Sequence, residues 1–159
     1  MIQIIDNFLP EEEFTSIQSI MMSSEFKWYY IQGTAQLYDG LYHMTHMFFE
    51  PTVGANSEHL KMWNTLMNKV GAKKCERIKA NLMFKTPTSV SSIFHTDYPD
   101  MKTAVFYINT NNGCTEFESG VRVSSVANRV CIFDSNLQHR GTTHTEGGHQ
   151  RIVVNFNYA

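Results

Sequence analysis

From residue 75 onward the chain is cut into short apolar runs, each closed by turn residues, and this punctuation limits the fold more than any other feature. Runs at 77–85, 92–98, 103–109, 114–117, 121–124, 129–133, 137–141 and 150–158 are rich in β-branched and aromatic residues. Pro99-Asp100, Asn111-Asn112-Gly113 and Glu146-Gly147-Gly148 supply turns between them. Strands so spaced predict a two-sheet jelly roll, an architecture whose mouth houses ligand sites. The last run alternates strictly, with Arg151, Val153, Asn155 and Asn157 on one face and Ile152, Val154, Phe156 and Tyr158 on the other. On strand pattern alone, its polar face is expected in water.

The first half reads differently. Residues 1–6 form a starter strand, and Pro10 followed by Glu11, Glu12 and Glu13 opens a helix with acids where the macrodipole favours them. Phe14, Ile17, Ile20 and Met21 recur at helical spacing. Residues 28–32 and 41–50 are aromatic-rich strand candidates. A second helix is expected over 57–70, with Leu60, Trp63, Leu66, Met67 and Val70 as a packing stripe. The expectation is a single domain over 1–159, a helical and strand cap (1–73) leading into a jelly-roll core (74–159), with the helices covering one sheet.

The 159 residues suffice for a real core. A net charge of −2 and a pI near 6.4 give no footprint for nucleic acid. The densest basic cluster, Lys73-Lys74 with Arg77 and Lys79, reads as the solvated edge of a strand. Cys75, Cys114 and Cys131 are odd in number and lack C-x-x-C spacing, which points to a reducing compartment. No apolar stretch approaches membrane-spanning length and no secretory leader pattern opens the chain, so a cytoplasmic protein with no membrane partner is expected.

His95-Thr96-Asp97 carries the chemistry. On an extended segment, residues two apart share a face, so both side chains can reach one metal, with Phe94, Thr96 and Tyr98 turned away. His139, far downstream, supplies a third ligand. Two imidazoles and one carboxylate leave three positions of an octahedron open, the arrangement of non-haem Fe(II) oxygenases. Other histidines fit less well. His43 and His46 are three apart and face opposite ways on a strand, His59 sits on a helix without a partner, and His144 and His149 flank a turn and are expected to be exposed.

Four signatures over roughly 77–158 make the chain similar to the 2-oxoglutarate/Fe(II)-dependent oxygenases, in particular the prolyl 4-hydroxylase-like group. They are His95-Thr96-Asp97, Phe106-Tyr107-Ile108-Asn109, Asn112-Gly113-Cys114-Thr115-Glu116-Phe117, and His139-Arg140-Gly141 with Arg151-Ile152-Val153-Val154-Asn155. The resemblance implies a mainly β (α+β) double-stranded β-helix, or distorted jelly roll, with N-terminal helices packed on one sheet. It also implies Fe(II) held by His95, Asp97 and His139. The 2-oxoglutarate C5 carboxylate would be held by Arg151 and Tyr107, and O2 would be the second co-substrate. Hydroxylation with release of succinate and CO2 would follow, on a small-molecule or peptide substrate such as a prolyl or other amino-acid residue. The chain departs from the group at Asn81, which stands where relatives often carry a Tyr or other polar group and by position is expected to take its place as a third 2-oxoglutarate-binding residue. It departs again at Val153, which removes an R-x-S pairing, and at Asn157, where nucleic-acid demethylating relatives carry a second Arg.

Two other readings stay open from the residues. One is a non-enzymatic jelly-roll module that binds a small acid, in which a carboxylate ligand such as Asp97 would be unnecessary. The other is a cupin-like metalloenzyme, disfavoured because no H-x-H is present. Trp28-Tyr29-Tyr30 and the loops 33–40 and 86–92 are candidates to line a substrate groove.

Overall fold

The computed structural model describes residues 1–33 and 41–159. In chain order the elements are β1 (Gln3–Ile5), α1 (Glu11–Met21), β2 (Tyr29–Gln32), β3 (Tyr42–Glu50), β4 (Gly54–Ala55), a 3-10 turn (Leu60–Trp63) running into α2 (Asn64–Lys69), β5 (Cys75–Phe84), β6 (Lys102–Tyr107), β7 (Cys114–Phe117), β8 (Arg122–Ser124), β9 (Arg129–Asp134), β10 (His139–Gly141) and β11 (Gln150–Tyr158). The large sheet runs β1-β9-β6-β11-β5-β3-β2, with β4 paired to β3, and the small sheet runs β10-β7-β8. Every named strand pair is antiparallel. The architecture is a distorted jelly roll with helices on one sheet.

The period-2 pattern of β11 sets up both cores. Its even residues, Ile152, Val154, Phe156 and Tyr158, join Phe106 of β6 and Ile78, Ala80 and Leu82 of β5 under the helices. Helix α1 meets them with Phe14, Ile17 and Met21, one apolar stripe opposite its acidic first turn. Trp63 closes the layer edge-on against Phe48, Phe106 and Phe156, with ring centroids 5.5, 6.0 and 5.2 Å away. A smaller cluster of Val105, Tyr107, Phe117, Val123, Cys131, Phe133 and Val153 fills the space between the sheets. The odd residues of β11 therefore face the barrel interior, and Arg151 is only 1% exposed rather than bathed in water.

Three expectations change. Residues 92–98 form no strand. They run beside β10 through bridges Ser91↔Thr142 and His95↔His139, between which the register slips by one residue, so no continuous ladder builds. Residues 57–70 hold only a 3-10 turn and a short helix. There Ser57 Oγ is taken up by His46 Nε2 (2.8 Å) and the His59 N–H (3.2 Å), which turns the chain before it can wind. Lys79 lies on β5, an interior strand between β11 and β3, and not on a solvated edge.

Candidate metal centre

The slipped bridge does for the site what a regular strand was expected to do. His95 N–H donates to His139 O (3.0 Å), and His139 N–H donates back to His95 O (2.9 Å). The two ring centroids are thereby held 4.6 Å apart. Asp97 N–H donates to Ser135 O (3.0 Å), which turns its carboxylate toward the same point. One ligand atom from each of His95, Asp97 and His139 lies within 4.8 Å of the others, the grouping three protein ligands need around one ion. Because the segment is not a regular strand, Thr96 and Tyr98 also line the cavity instead of turning away.

Each ligand is oriented by a second contact. His139 Nδ1 faces the Leu137 carbonyl at 2.9 Å, which places its proton there and leaves Nε2 as the free lone pair. That Nε2 is buried without a hydrogen-bond partner, a costly state for a polar atom that a metal would relieve. Burial is the main influence on the His139 ring and lowers its pKa, against the raising effects of the Leu137 carbonyl and Asp97, so the ligating neutral form is favoured. Burial alone would raise the Asp97 pKa, but Arg77, His139, Asn157 and Thr103 outweigh it and hold the carboxyl below its usual range. Asp97 Oδ2 accepts from Thr103 Oγ1 (2.8 Å) and Asn157 Nδ2 (2.9 Å), and Arg77 Nη2 stands 3.4 Å from Oδ1. No role at the metal was legible for these three in the sequence, where Arg77 reads as part of a solvated strand edge and Asn157 only as a departure from demethylating relatives. Their signal was available only in their register opposite one another on β5, β11 and β6.

Arg151 opens into the same cavity, about 390 Å³ in volume. Its Nε donates to Ser125 Oγ (2.8 Å), whereas Nη1 and Nη2 are buried without partners. Gly113 makes room for it, since a Cβ there would lie 2.6 Å from Arg151 Cδ. A metal and an anion thus both fit donors that the fold leaves unmet. Tyr107 is placed differently from the resemblance. It lies behind Arg151, whose Cζ is 5.9 Å from the ring centroid, and its hydroxyl donates to Thr115 Oγ1 (2.8 Å). Thr115, not Tyr107, lines the cavity. Asn81 lines it from β5.

The remaining histidines are also located. His43 lines the cavity while His46 packs in the core beside Phe26 and Phe48, so the two do face opposite ways. His149 is exposed, but His144 is buried at 1% exposure. The turn that carries it is drawn inward by Thr86 N–H donating to His144 O (3.0 Å) and by Asn112 Oδ1 accepting from Thr145 and Glu146 N–H. Of the two loops suggested for a substrate groove, Ser92 of the second lines the cavity. Residues 34–40 of the first lie outside the described residues.

No protein-family sequence model and no curated protein sequence matches this chain. Solved structures do match, over 99% of its length. A Trichoplax adhaerens prolyl hydroxylase in complex with a hypoxia-inducible-factor peptide aligns at 13% identity over 82% of its own chain, with a TM-score of 0.66. A Burkholderia pseudomallei oxidoreductase of the 2OG-Fe(II) oxygenase family aligns at 10% identity over 84%, with a TM-score of 0.71. The fold is that of the 2-oxoglutarate/Fe(II) oxygenases. A Pseudomonas putida prolyl-4-hydroxylase shares it at 14% identity over 91%, with a TM-score of 0.67. Among the described residues, no helix is long and apolar enough to cross a membrane.

Proposed function

We propose that this protein is an Fe(II)- and 2-oxoglutarate-dependent dioxygenase that hydroxylates a small-molecule or peptide substrate, with succinate and CO2 as co-products. One observation carries the reading. The ligand atoms of His95, Asp97 and His139 converge within 4.8 Å in a cavity that also receives the two unpartnered guanidinium nitrogens of Arg151. A bare anion-binding module has no use for the first half of that pairing. The peptide bound to the Trichoplax adhaerens enzyme supports a peptide or amino-acid substrate. Three free cysteines support a reducing, cytoplasmic setting.

The residues divide the work. His95, Asp97 and His139 would hold the iron, and Arg151 would hold the distal carboxylate of 2-oxoglutarate. Bound Fe(II) supplies the redox chemistry by which O2 oxidises 2-oxoglutarate and a substrate C–H bond. Asp97 is kept ionised by Arg77, Asn157 and Thr103, so it contributes a full negative charge at neutral pH. The Leu137 carbonyl fixes the His139 tautomer and spares the site a tautomeric rearrangement on metal entry. Arg151 meets a carboxylate with a planar fork already held by Ser125 and walled by Gly113, which lowers the ordering cost of binding. Val105 and Val153 form an apolar wall that excludes water and strengthens each charged contact. Thr115 Oγ1 accepts the hydrogen bond of the Tyr107 hydroxyl, leaving Tyr107 to support the Arg151 pocket from behind.

Anaerobic Fe(II) titration tests the ligand set. Wild type is expected to bind one ion tightly, and His139→Ala and Asp97→Ala to lose that site while folding normally by circular dichroism. His144→Ala is expected to keep it. Stoichiometric tight binding in His139→Ala would remove the metal assignment.

A further inference from the structure

On β5, Arg77, Lys79, Asn81 and Met83 present alternate side chains to the cavity. Arg77 is engaged, with Asp97, with Asn157 Oδ1 (3.1 Å) and with the Tyr98 ring. Lys79 is not. Among the described residues its ammonium makes no hydrogen bond or ion pair, and the Arg77 cation, which lowers its pKa, and Asp97 and Glu50, which raise it, act on it only through space. The Asn81 side chain beside it is likewise without a hydrogen bond among the described residues, and next to Lys79 on the neighbouring strand β11, Asn155 Oδ1 is buried with no donor. Burial is the largest influence on the Lys79 amine and pulls its pKa down to about 8, so holding its charge there is costly, although most of it remains protonated at neutral pH. Packing gives no reason for a cation at this position, and a long apolar side chain would serve a mere wall better.

The register separates this cation from Arg151. Lys79 lies opposite Asn155, and Arg151 lies opposite Met83. At a strand rise of about 3.3 Å per residue, the two cations enter the cavity from backbone points about 13 Å apart. Arg77, one alternation from Lys79, contacts Asp97 itself, so Lys79 stands beside the metal ligands and away from the Arg151 end. A second anion held here would lie next to the reacting centre while 2-oxoglutarate occupies Arg151.

We propose that the primary substrate carries a carboxylate, and that Lys79, aided by the Asn81 amide, is the specificity-determining group that binds it. This rests on the oxygenase reading above. A carboxylate accepts two or more hydrogen bonds, which suits an ammonium and an amide N–H two residues apart on one strand face. The carboxylate can belong to a free amino or hydroxy acid, or to an acidic side chain in a peptide.

The test uses full-length protein loaded with Zn(II), which binds without redox turnover, and saturated with 2-oxoglutarate. Calorimetry then measures the twenty common L-amino acids and their 2-hydroxy analogues, each against its neutral carboxamide. N-acetylated, C-amidated Asp and Glu are included to represent acidic side chains. At least one acid is expected to bind, roughly ten- to a hundredfold tighter than its amide. Binding of the blocked Asp or Glu would assign the carboxylate to a peptide side chain, and binding of free acids alone to a small metabolite. Lys79→Met is expected to erase the preference for acid over amide, with the 2-oxoglutarate Kd within twofold of wild type and an unchanged or higher melting temperature. Lys79→Arg is expected to retain part of the preference. The proposal is overturned if amides bind as well as acids, if no probe binds the ternary complex, or if Lys79→Met weakens 2-oxoglutarate instead. Failure of 2-oxoglutarate itself to bind the Zn(II) protein would overturn the parent reading, and this one with it.

Discussion

Replacing Arg151 with Met should push ligand affinity and fold stability in opposite directions. Arg151 is 1% exposed and is satisfied by the protein at Nε alone, with Nη1 and Nη2 unpartnered. Burial correspondingly pulls its pKa below the ordinary arginine range. Met keeps most of the aliphatic stem, so the change mainly removes charge. Losing the bond to Ser125 costs about 1 kcal/mol, or up to about 3 if the hydroxyl is stranded. Relief from a buried, incompletely paired cation returns several kcal/mol, and the balance favours the variant by about 1–3 kcal/mol. In a chain of this size that is a rise of roughly 3–9 °C in the Tm of the ligand-free protein. Against this, 2-oxoglutarate loses two charge-assisted hydrogen bonds of roughly 1.5–3 kcal/mol each, so its Kd should rise by roughly 10²–10⁴-fold. Scanning calorimetry on metal-free protein and isothermal titration on the Zn(II) form measure the two effects. An Arg151→Met protein that binds 2-oxoglutarate within tenfold of wild type would refute the placement of the anion, and a fall in ligand-free Tm would refute the account of the buried charge.

Two further outcomes follow from neighbouring residues. Gly113→Ala puts a Cβ 2.6 Å from Arg151 Cδ and 3.0 Å from Asn111 Oδ1, so calorimetry should show 2-oxoglutarate affinity falling at least tenfold, with a lower Tm from the strain. His144 has its pKa lowered below 6.5, chiefly by burial, so its neutral form is the one the fold accepts. Its contribution is then fully present above about 6.5 and is lost as pH falls through the lower folded value. The stability of wild type relative to His144→Gln should therefore drop between pH 7.5 and 5.5, as read from urea midpoints, and an unchanged difference would contradict the burial argument.

How far the sequence foretold this structure depends on what each signal encodes. The alternation of β11 told which residues share a face, because side-chain period is a local property. It could not tell that the polar face looks into a cavity, since water and a ligand pocket favour the same residue types; only the position of β11 between β5 and β6 decides that. The spacing of His95 and Asp97 was informative even though no strand forms, because extended backbone alone brings them together and pairing with β10 adds His139. Lys79 is the converse case. A lysine run normally marks solvent, and the interior place of β5 comes from partners far away in the chain. The Tyr107 hydroxyl was matched to a ligand by family pattern, but Thr115 across the sheets reaches it at 2.8 Å. Contacts between the two sheets have no local periodicity to announce them.

The central claim is that three side chains and Arg151 together make an iron- and 2-oxoglutarate-dependent oxidase of carbon. Its most direct test is to mix anaerobic protein, one equivalent of Fe(II) and 2-oxoglutarate, admit a measured amount of O2, and quantify succinate. The account predicts succinate formed one-for-one with O2 consumed, slowly without the primary substrate, and none with Zn(II) in place of iron or in the Asp97→Ala protein. No succinate from the wild-type ferrous protein, with or without the amino and hydroxy acids offered as substrates, would contradict it and leave a cavity that binds acids without transforming them.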